Sequence, residues 1–151
     1  MILQINQPAP AFSLLDQNEK RHTLASYLGK KVLLYFYPKD DTPGCTTEAC
    51  SFRDNIKDLE SRGLVVLGVS ADSVKSHKKF AEKYDLPFPL LSDEAKEVCE
   101  AYGVWGKKKF MGKEYMGISR SSFLIDEKGN LSKIYDEVKT KEPVGEITAD
   151  L

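Results

Sequence analysis

The sequence has no Cys-x-x-Cys pair, no internal repeat, no low-complexity tract and no long block of like charge. Each absence removes a class. With a formal net charge of −1, the chain lacks the basic footprint that nucleic acid or an anionic membrane would select, so neither is an expected partner. The one basic run, Lys107-Lys108-Lys109, is short, lies between glycines, and reads as a solvated loop. The longest apolar run, Val32 to Tyr37, is far too short to span a bilayer. The start, "MILQINQPAPAF", lacks the basic opening and extended apolar stretch of a secretory leader, which points to the cytoplasm. Three cysteines in a reducing compartment are catalytic, metal-binding or inert rather than a structural framework.

What is present fits an ordinary globular chain. At 151 residues, 41% apolar and 30% charged, it is long enough for one domain, residues 1–151, with a conventional core. "FSLLDQNEKRHTL" predicts a hairpin turned at Gln17 to Glu19. "KKVLLYFYP" predicts a buried central strand stopped by Pro38. From about Pro43 to Arg62, Ala49, Phe52, Ile56 and Leu59 recur at helical spacing, and Gly63 is the expected stop. "LVVLGVS" predicts a second buried strand, and "DSVKSHKKFAEKY" an amphipathic helix with Val74, Phe80, Ala81 and Tyr84 on one side. A short strand in "PFPLLS" and a short helix in "DEAKEVCEAYG" come next. After a glycine-punctuated loop, "SSFLIDEKGNLSKIYDEV" predicts a hairpin turned at Lys128 to Asn130. The tail is expected to add a helical turn or two. This order is that of a thioredoxin-like α/β sandwich with a mixed central sheet and an added N-terminal hairpin.

Two cysteines, Cys45 and Cys50, lie five positions apart in "DDTPGCTTEAC". Pro43 suits the first helical position, with Asp41 or Thr42 as N-cap, which puts Cys45 in the first turn. Unpaired N–H groups and the positive end of the helix dipole favour a thiolate there. Ionisation alone achieves little. Lowering a thiol from ~8.5 to ~6 raises the thiolate fraction at neutral pH roughly thirtyfold, while nucleophilicity falls roughly tenfold. Fast chemistry must come from groups that stabilise the transition state.

"PKDDTPGC" fits the Pro-x-x-x-Thr-x-x-Cys signature of peroxiredoxins. "TPGCTTEACSFRD" and "GVWGKKKFMGKEYMGISRSSFLID" closely resemble the Q-type branch, the bacterioferritin-comigratory proteins. The resemblance covers roughly Gln4 to Val138; the tail "KTKEPVGEITADL" departs from the branch's frequent Lys-Gly-His-Ala step, and Ser122 stands where Thr is common. It implies a thiol peroxidase for hydrogen peroxide and alkyl hydroperoxides. Cys45 would be the peroxidatic cysteine, Thr42 and Arg120 its partners, Pro38 a shield over the thiolate, and Cys50 the resolving cysteine. Thioredoxin is the implied reductant, with glutaredoxin as the alternative, and a monomer the expected state. The cysteine carries the redox chemistry, so no metal and no organic cofactor is implied.

Chemistry assigns these groups consistent tasks. Arg120 is permanently charged and offers a rigid fork of donors to the sulfur and to the departing oxygen. The Thr42 hydroxyl can donate to a peroxide or accept its proton, and the N–H groups near Gly44 and Cys45 add donors. Glu48, one turn past Cys45, either anchors the site or is a solvated first-turn carboxylate. On one regular helix, Cys45 and Cys50 would have Cα atoms roughly 8.7 Å apart, beyond the ~7 Å limit for a disulfide. The implied Cys45–Cys50 bridge therefore requires the helix start to unwind. Cys99 is expected to be packed and inert, sharing a helical face with Ala95 and Tyr102.

The rival readings match fewer features. A thioredoxin-like dithiol–disulfide oxidoreductase would show Cys-x-x-Cys at the helix start. A cysteine phosphatase would place arginine six positions after Cys45, where Ser51 stands. Zinc would need Cys45, Cys50, Cys99 and His22 or His77 at closer spacings, and both histidines read as solvated. A redox-sensing module without turnover is the non-enzyme alternative.

Overall fold

A computed structural model describes residues 3–136 and 143–151, except for the side chains of Phe110, Pro143 and Glu146. The N-terminal hairpin pairs β1 (Ser13–Leu15) with β2 (Arg21–Thr23), and a 3-10 turn follows at Ala25–Tyr27. The central run forms β3 (Lys31–Phe36), which leads into α1 (Pro43–Ser61). Next come β4 (Leu64–Ser70), α2 (Val74–Tyr84), β5 (Leu90–Ser92) and α3 (Glu97–Ala101). Strands β6 (Trp105–Phe110), β7 (Lys113–Ile118), β8 (Ser121–Ile125) and β9 (Leu131–Asp136) precede α4 (Pro143–Ala149).

Seven strands form one mixed sheet in the order β2-β1-β5-β4-β3-β8-β9, with β3, β4 and β5 parallel and the outer pairings antiparallel. Alternation along β3 feeds two cores. Leu33, Tyr35 and Tyr37 pack with α1 residues Cys45, Ala49, Phe52 and Leu59 and with Val144 and Ile147 of α4. Val32, Leu34 and Phe36 pack on the other face with Phe12, Cys99, Tyr102 and Phe123. Gly68 of β4 is required by a close approach: a Cβ there would lie 2.9 Å from Tyr35 Cζ and 3.0 Å from Leu90 Cδ2.

The expected glycine-punctuated loop is a second, two-stranded sheet. β6 and β7 pair antiparallel from Trp105↔Ile118 to Phe110↔Lys113, turning at Met111 and Gly112, both at positive φ. The Lys107–Lys109 run is therefore strand, with Lys107 and Lys109 exposed and Lys108 half-buried. Helix α3 is short and starts after Lys96, so Ala95 lies in the preceding turn, exposed, and shares no helical face with Cys99. The tail's departure from the branch pattern begins at Lys139, and residues 137–142 lie outside the described residues.

Candidate active site

The site is assembled at the carboxyl end of β3. Pro43 is the first residue of α1, and the first helical bond runs from Thr46 N–H to Thr42 O at 2.8 Å. The N–H groups of Gly44 and Cys45 precede that bond and have no partner within the helix. Thr42 is the N-cap, but its side chain does not cap: Oγ1 donates to Lys39 O at 2.9 Å. Antiparallel pairing of Phe36 with Ser121 sets Arg120 beside the same strand end. Register, rather than proximity in sequence, thus brings together residues 75 positions apart.

Cys45 is 1% exposed, set among Tyr35, Tyr37, Ala49 and Phe52. Arg120 Nη2 donates to Cys45 Sγ at 3.3 Å, and Nη1 donates to Glu48 Oε1 at 2.8 Å. One guanidinium therefore spans the sulfur and a carboxylate one turn further along α1. Burial works against the Arg120 charge, but Cys45 and Glu48 outweigh it and hold its pKa above the usual value.

Glu48 is not the solvated carboxylate that a first-turn position allows. It is 0% exposed, and its second oxygen, Oε2, accepts no hydrogen bond among the described residues. Burial raises its pKa to about 7, against the opposing effect of Arg120. The ion pair and the raised pKa are compatible, because desolvation of an incompletely satisfied carboxylate costs more than one guanidinium arm returns. The Tyr35 hydroxyl and Ser122 Oγ are likewise buried with no hydrogen-bond partner among the described residues, on residues paired across β3 and β8.

Cys50 is partly exposed on α1, and Cys45, Cys50 and Cys99 are all free thiols. Both Cys45 and Cys50 lie within regular α1, so the ~8.7 Å helical separation applies to this form. Cys99 is fully buried against the opposite face of the sheet, separated from Cys45 by the strands themselves. Burial, with the Asp93 carboxyl beside it, pushes its thiol well above the usual range. Pro38 is half-buried just past the end of β3.

The sequence and the fold match relatives that are already known. The model of the AhpC/TSA family matches residues 5–134. The chain belongs to that family. Peroxiredoxin Bcp of Bacillus subtilis is 50% identical over 146 residues, 97% of this chain and 93% of the relative. Peroxiredoxin Bcp of Escherichia coli K12 is 51% identical over 138 residues, 91% and 88% of the two chains. The bacterioferritin comigratory protein of Xanthomonas campestris, whose structural work concerns alkyl peroxide reduction, superposes with a TM-score of 0.89. That chain is 35% identical, with 97% of this chain and 96% of that one covered. Membership carries thiol peroxidase chemistry and the thioredoxin-like architecture with it.

Three features of this peroxiredoxin escaped the sequence reading. His22 and His77 are buried, not solvated: His22 bonds Asp16 Oδ2 at 2.7 Å, and His77 is 0% exposed. Asp40, Asp72 and His77 bring ligand-type atoms within 4.8 Å of one another, but these atoms already bond to one another and to neighbouring side chains. Lys108 donates from Nζ to Ile118 O at 2.8 Å, and burial and Arg120 lower its pKa while Cys45 opposes the shift. Its stem passes over Gly117, where a Cβ would lie 3.0 Å from Lys108 Cδ.

Proposed function

We propose that Cys45 attacks the peroxide and that Cys50 resolves the product, with hydrogen peroxide and small organic hydroperoxides as substrates. The observation that carries this reading is the Arg120 fork, one arm on Cys45 Sγ and the other on buried Glu48. The sulfur anion displaces one peroxide oxygen, which stays on sulfur as the sulfenic acid. The O–O bond breaks, and the second oxygen leaves with the electron pair, takes a proton and departs as water or alcohol. Arg120 stabilises negative charge as it moves from sulfur to the leaving oxygen. The Thr42 hydroxyl has its hydrogen engaged by Lys39 O, so it serves as acceptor of the peroxide proton. The Gly44 and Cys45 N–H groups add donors, Glu48 fixes the guanidinium, and Pro38 shields the sulfur from water.

Resolution joins Cys45 sulfenic acid to the Cys50 thiol, forming the S–S bond and releasing water. The start of α1 unwinds to allow this, and the exposed disulfide is then reduced by a dithiol protein of thioredoxin type. A monomer is sufficient, because both cysteines lie on one helix. The reading includes a cytoplasmic setting; no helix among the described residues is long and apolar enough to cross a membrane.

Mass spectrometry after one equivalent of peroxide tests the assignment. The wild-type chain is expected to show a Cys45–Cys50 bridge, and Cys50→Ser a Cys45 sulfenic acid with no internal bridge. Cys45→Ser is expected to lose turnover with a thioredoxin system, and retained turnover would falsify the role given to that sulfur.

A further inference from the structure

Asp40 precedes Cys45 by five residues, in the loop between β3 and α1, and its buried carboxylate faces α2. Oδ2 lies 2.7 Å from His77 Nδ1 and accepts from Ser76 Oγ at 2.8 Å, while Oδ1 accepts from the Tyr37 hydroxyl at 2.6 Å. On the far side of the ring, His77 Nε2 lies 3.0 Å from Leu91 O of β5. Counting protons decides what this contact is. A carbonyl oxygen only accepts, so Nε2 carries a hydrogen. A neutral ring would then turn its Nδ1 lone pair toward a carboxylate, acceptor against acceptor. The pair therefore holds one further proton between Nδ1 and Oδ2 and is neutral as a unit. That is a charge-assisted hydrogen bond shielded from water.

The same loop is fixed at two more points. Asp40 N–H donates to Asp72 Oδ2 at 2.8 Å, and that oxygen also accepts from Ser70 Oγ at 2.7 Å. On the exposed side Asp41, at φ 55°, accepts from Lys83 Nζ at 2.8 Å and from the Tyr84 hydroxyl at 3.0 Å.

We propose that His77, acting through Asp40, is a positioning residue that holds the loop before Cys45 in its peroxide-reactive form and limits unwinding of the start of α1. The inference rests on the roles proposed above for Cys45 and Cys50. An unwound segment pinned at both ends has fewer conformations than one released at its upstream end, so the pin disfavours unwinding. Opening that displaces the loop also takes Asp40 from His77 and leaves the buried ring without its partner, at further cost. After sulfenic acid forms, two reactions compete. In the wound form a second peroxide gives its oxygen to the sulfenic sulfur, producing sulfinic acid and releasing water or alcohol. In the unwound form the Cys50 thiol closes the disulfide and releases water. The pin thus sets the ratio between over-oxidation and resolution.

The test is turnover with a thioredoxin system over a range of peroxide concentrations, with sulfinic acid and disulfide measured by mass spectrometry. His77→Leu and Asp40→Ala are each expected to need about tenfold more peroxide for half over-oxidation, the size of one charge-assisted hydrogen bond. Their combination should add little more. Asp40→Asn should stay near wild type, because its amide N–H can donate to Nδ1 of a neutral ring whose Nε2–H still meets Leu91 O. Ala81→Gly, which weakens α2 through its backbone and removes none of these bonds, controls for general destabilisation and should leave the ratio unmoved. Hydrogen exchange over residues 40–50 of the reduced protein should be about tenfold faster in His77→Leu. If His77→Leu does not fold, Asp40→Ala against Asp40→Asn gives the same comparison. An unchanged ratio in variants that still form the bridge, or an equal change in Ala81→Gly, overturns the proposal. Absence of the bridge in wild type overturns the cysteine roles instead, and hydrogen exchange then still decides whether the pin holds the loop.

Discussion

Replacing Glu48 by glutamine removes a charge while keeping the side chain's shape and its acceptor for Arg120 Nη1. In the folded chain burial holds this carboxyl at about 7, against 4.5 for an ordinary glutamate. The folded state therefore binds the proton more tightly than the unfolded state does, and stability falls as pH rises through the window from 4.5 to about 7. A tenfold difference in proton affinity between the two states is worth about 1.4 kcal/mol. Between about pH 5 and about pH 8, wild type should lose about 2–3 kcal/mol relative to Glu48→Gln. Other titrating groups are common to both chains and cancel in the difference. Urea unfolding of both reduced proteins across this range measures it. Parallel stability curves would refute the reasoning, and so would a difference of opposite sign, which would mean that Arg120 outweighs burial. Because glutamine still tethers Arg120, peroxide reduction by this variant should fall by less than about tenfold.

Arg120→Ala removes both arms of the fork and should lower kcat/KM for hydrogen peroxide about 10- to 100-fold, the loss of a charge-assisted hydrogen bond at the reacting sulfur; stopped-flow rates check it. Gly68→Ala forces a methyl group against Tyr35 Cζ at 2.9 Å and should destabilise the fold by about 1–3 kcal/mol in urea unfolding, with the cysteine chemistry retained. Hydrogen exchange over residues 42–52 should be faster in the disulfide form than in the reduced form, because the bridge cannot form on a wound helix; equal protection would contradict the unwinding step.

The parts of this fold that rest on local pattern were legible in the sequence. The run from Val32 to Tyr37 could only be a strand buried on both faces, and Pro43 with the apolar spacing behind it marked α1 within a residue or two. The β6–β7 hairpin was hidden because its strands do not alternate apolar with polar: Lys107, Lys109, Glu114 and Met116 are all exposed, so the usual period-two signal is missing. Glu48 and His77 show a different limit. Each lies at helical spacing on the inward face, three residues after Cys45 and three after Val74, but a lone acid or histidine there is ambiguous without its partner. Those partners, Arg120 and Asp40, are 72 and 37 residues away in sequence. Burial of a polar group is decided by the group that satisfies it, and neither periodicity nor propensity reports that group.

The burial of Cys45 also orders the cycle proposed above. With Cys45 1% exposed among Tyr35, Tyr37 and Phe52, the wound site excludes the active cysteine of another folded protein. A dithiol reductant can therefore act only after the helix start has opened, which is also the condition for Cys50 to reach the sulfur. Peroxide attack and reduction are thus separated by conformation as well as by the oxidation state of the sulfur. The Arg120–Glu48 contact favours the closed form, because opening α1 moves Glu48 and Cys45 away from one guanidinium together. The oxygen that Cys45 gains on oxidation disturbs the Nη2–Sγ contact, one of the two that hold the guanidinium to α1. Oxidation itself weakens the tie that kept the helix wound, so the reaction that creates the need for resolution also lowers the cost of opening.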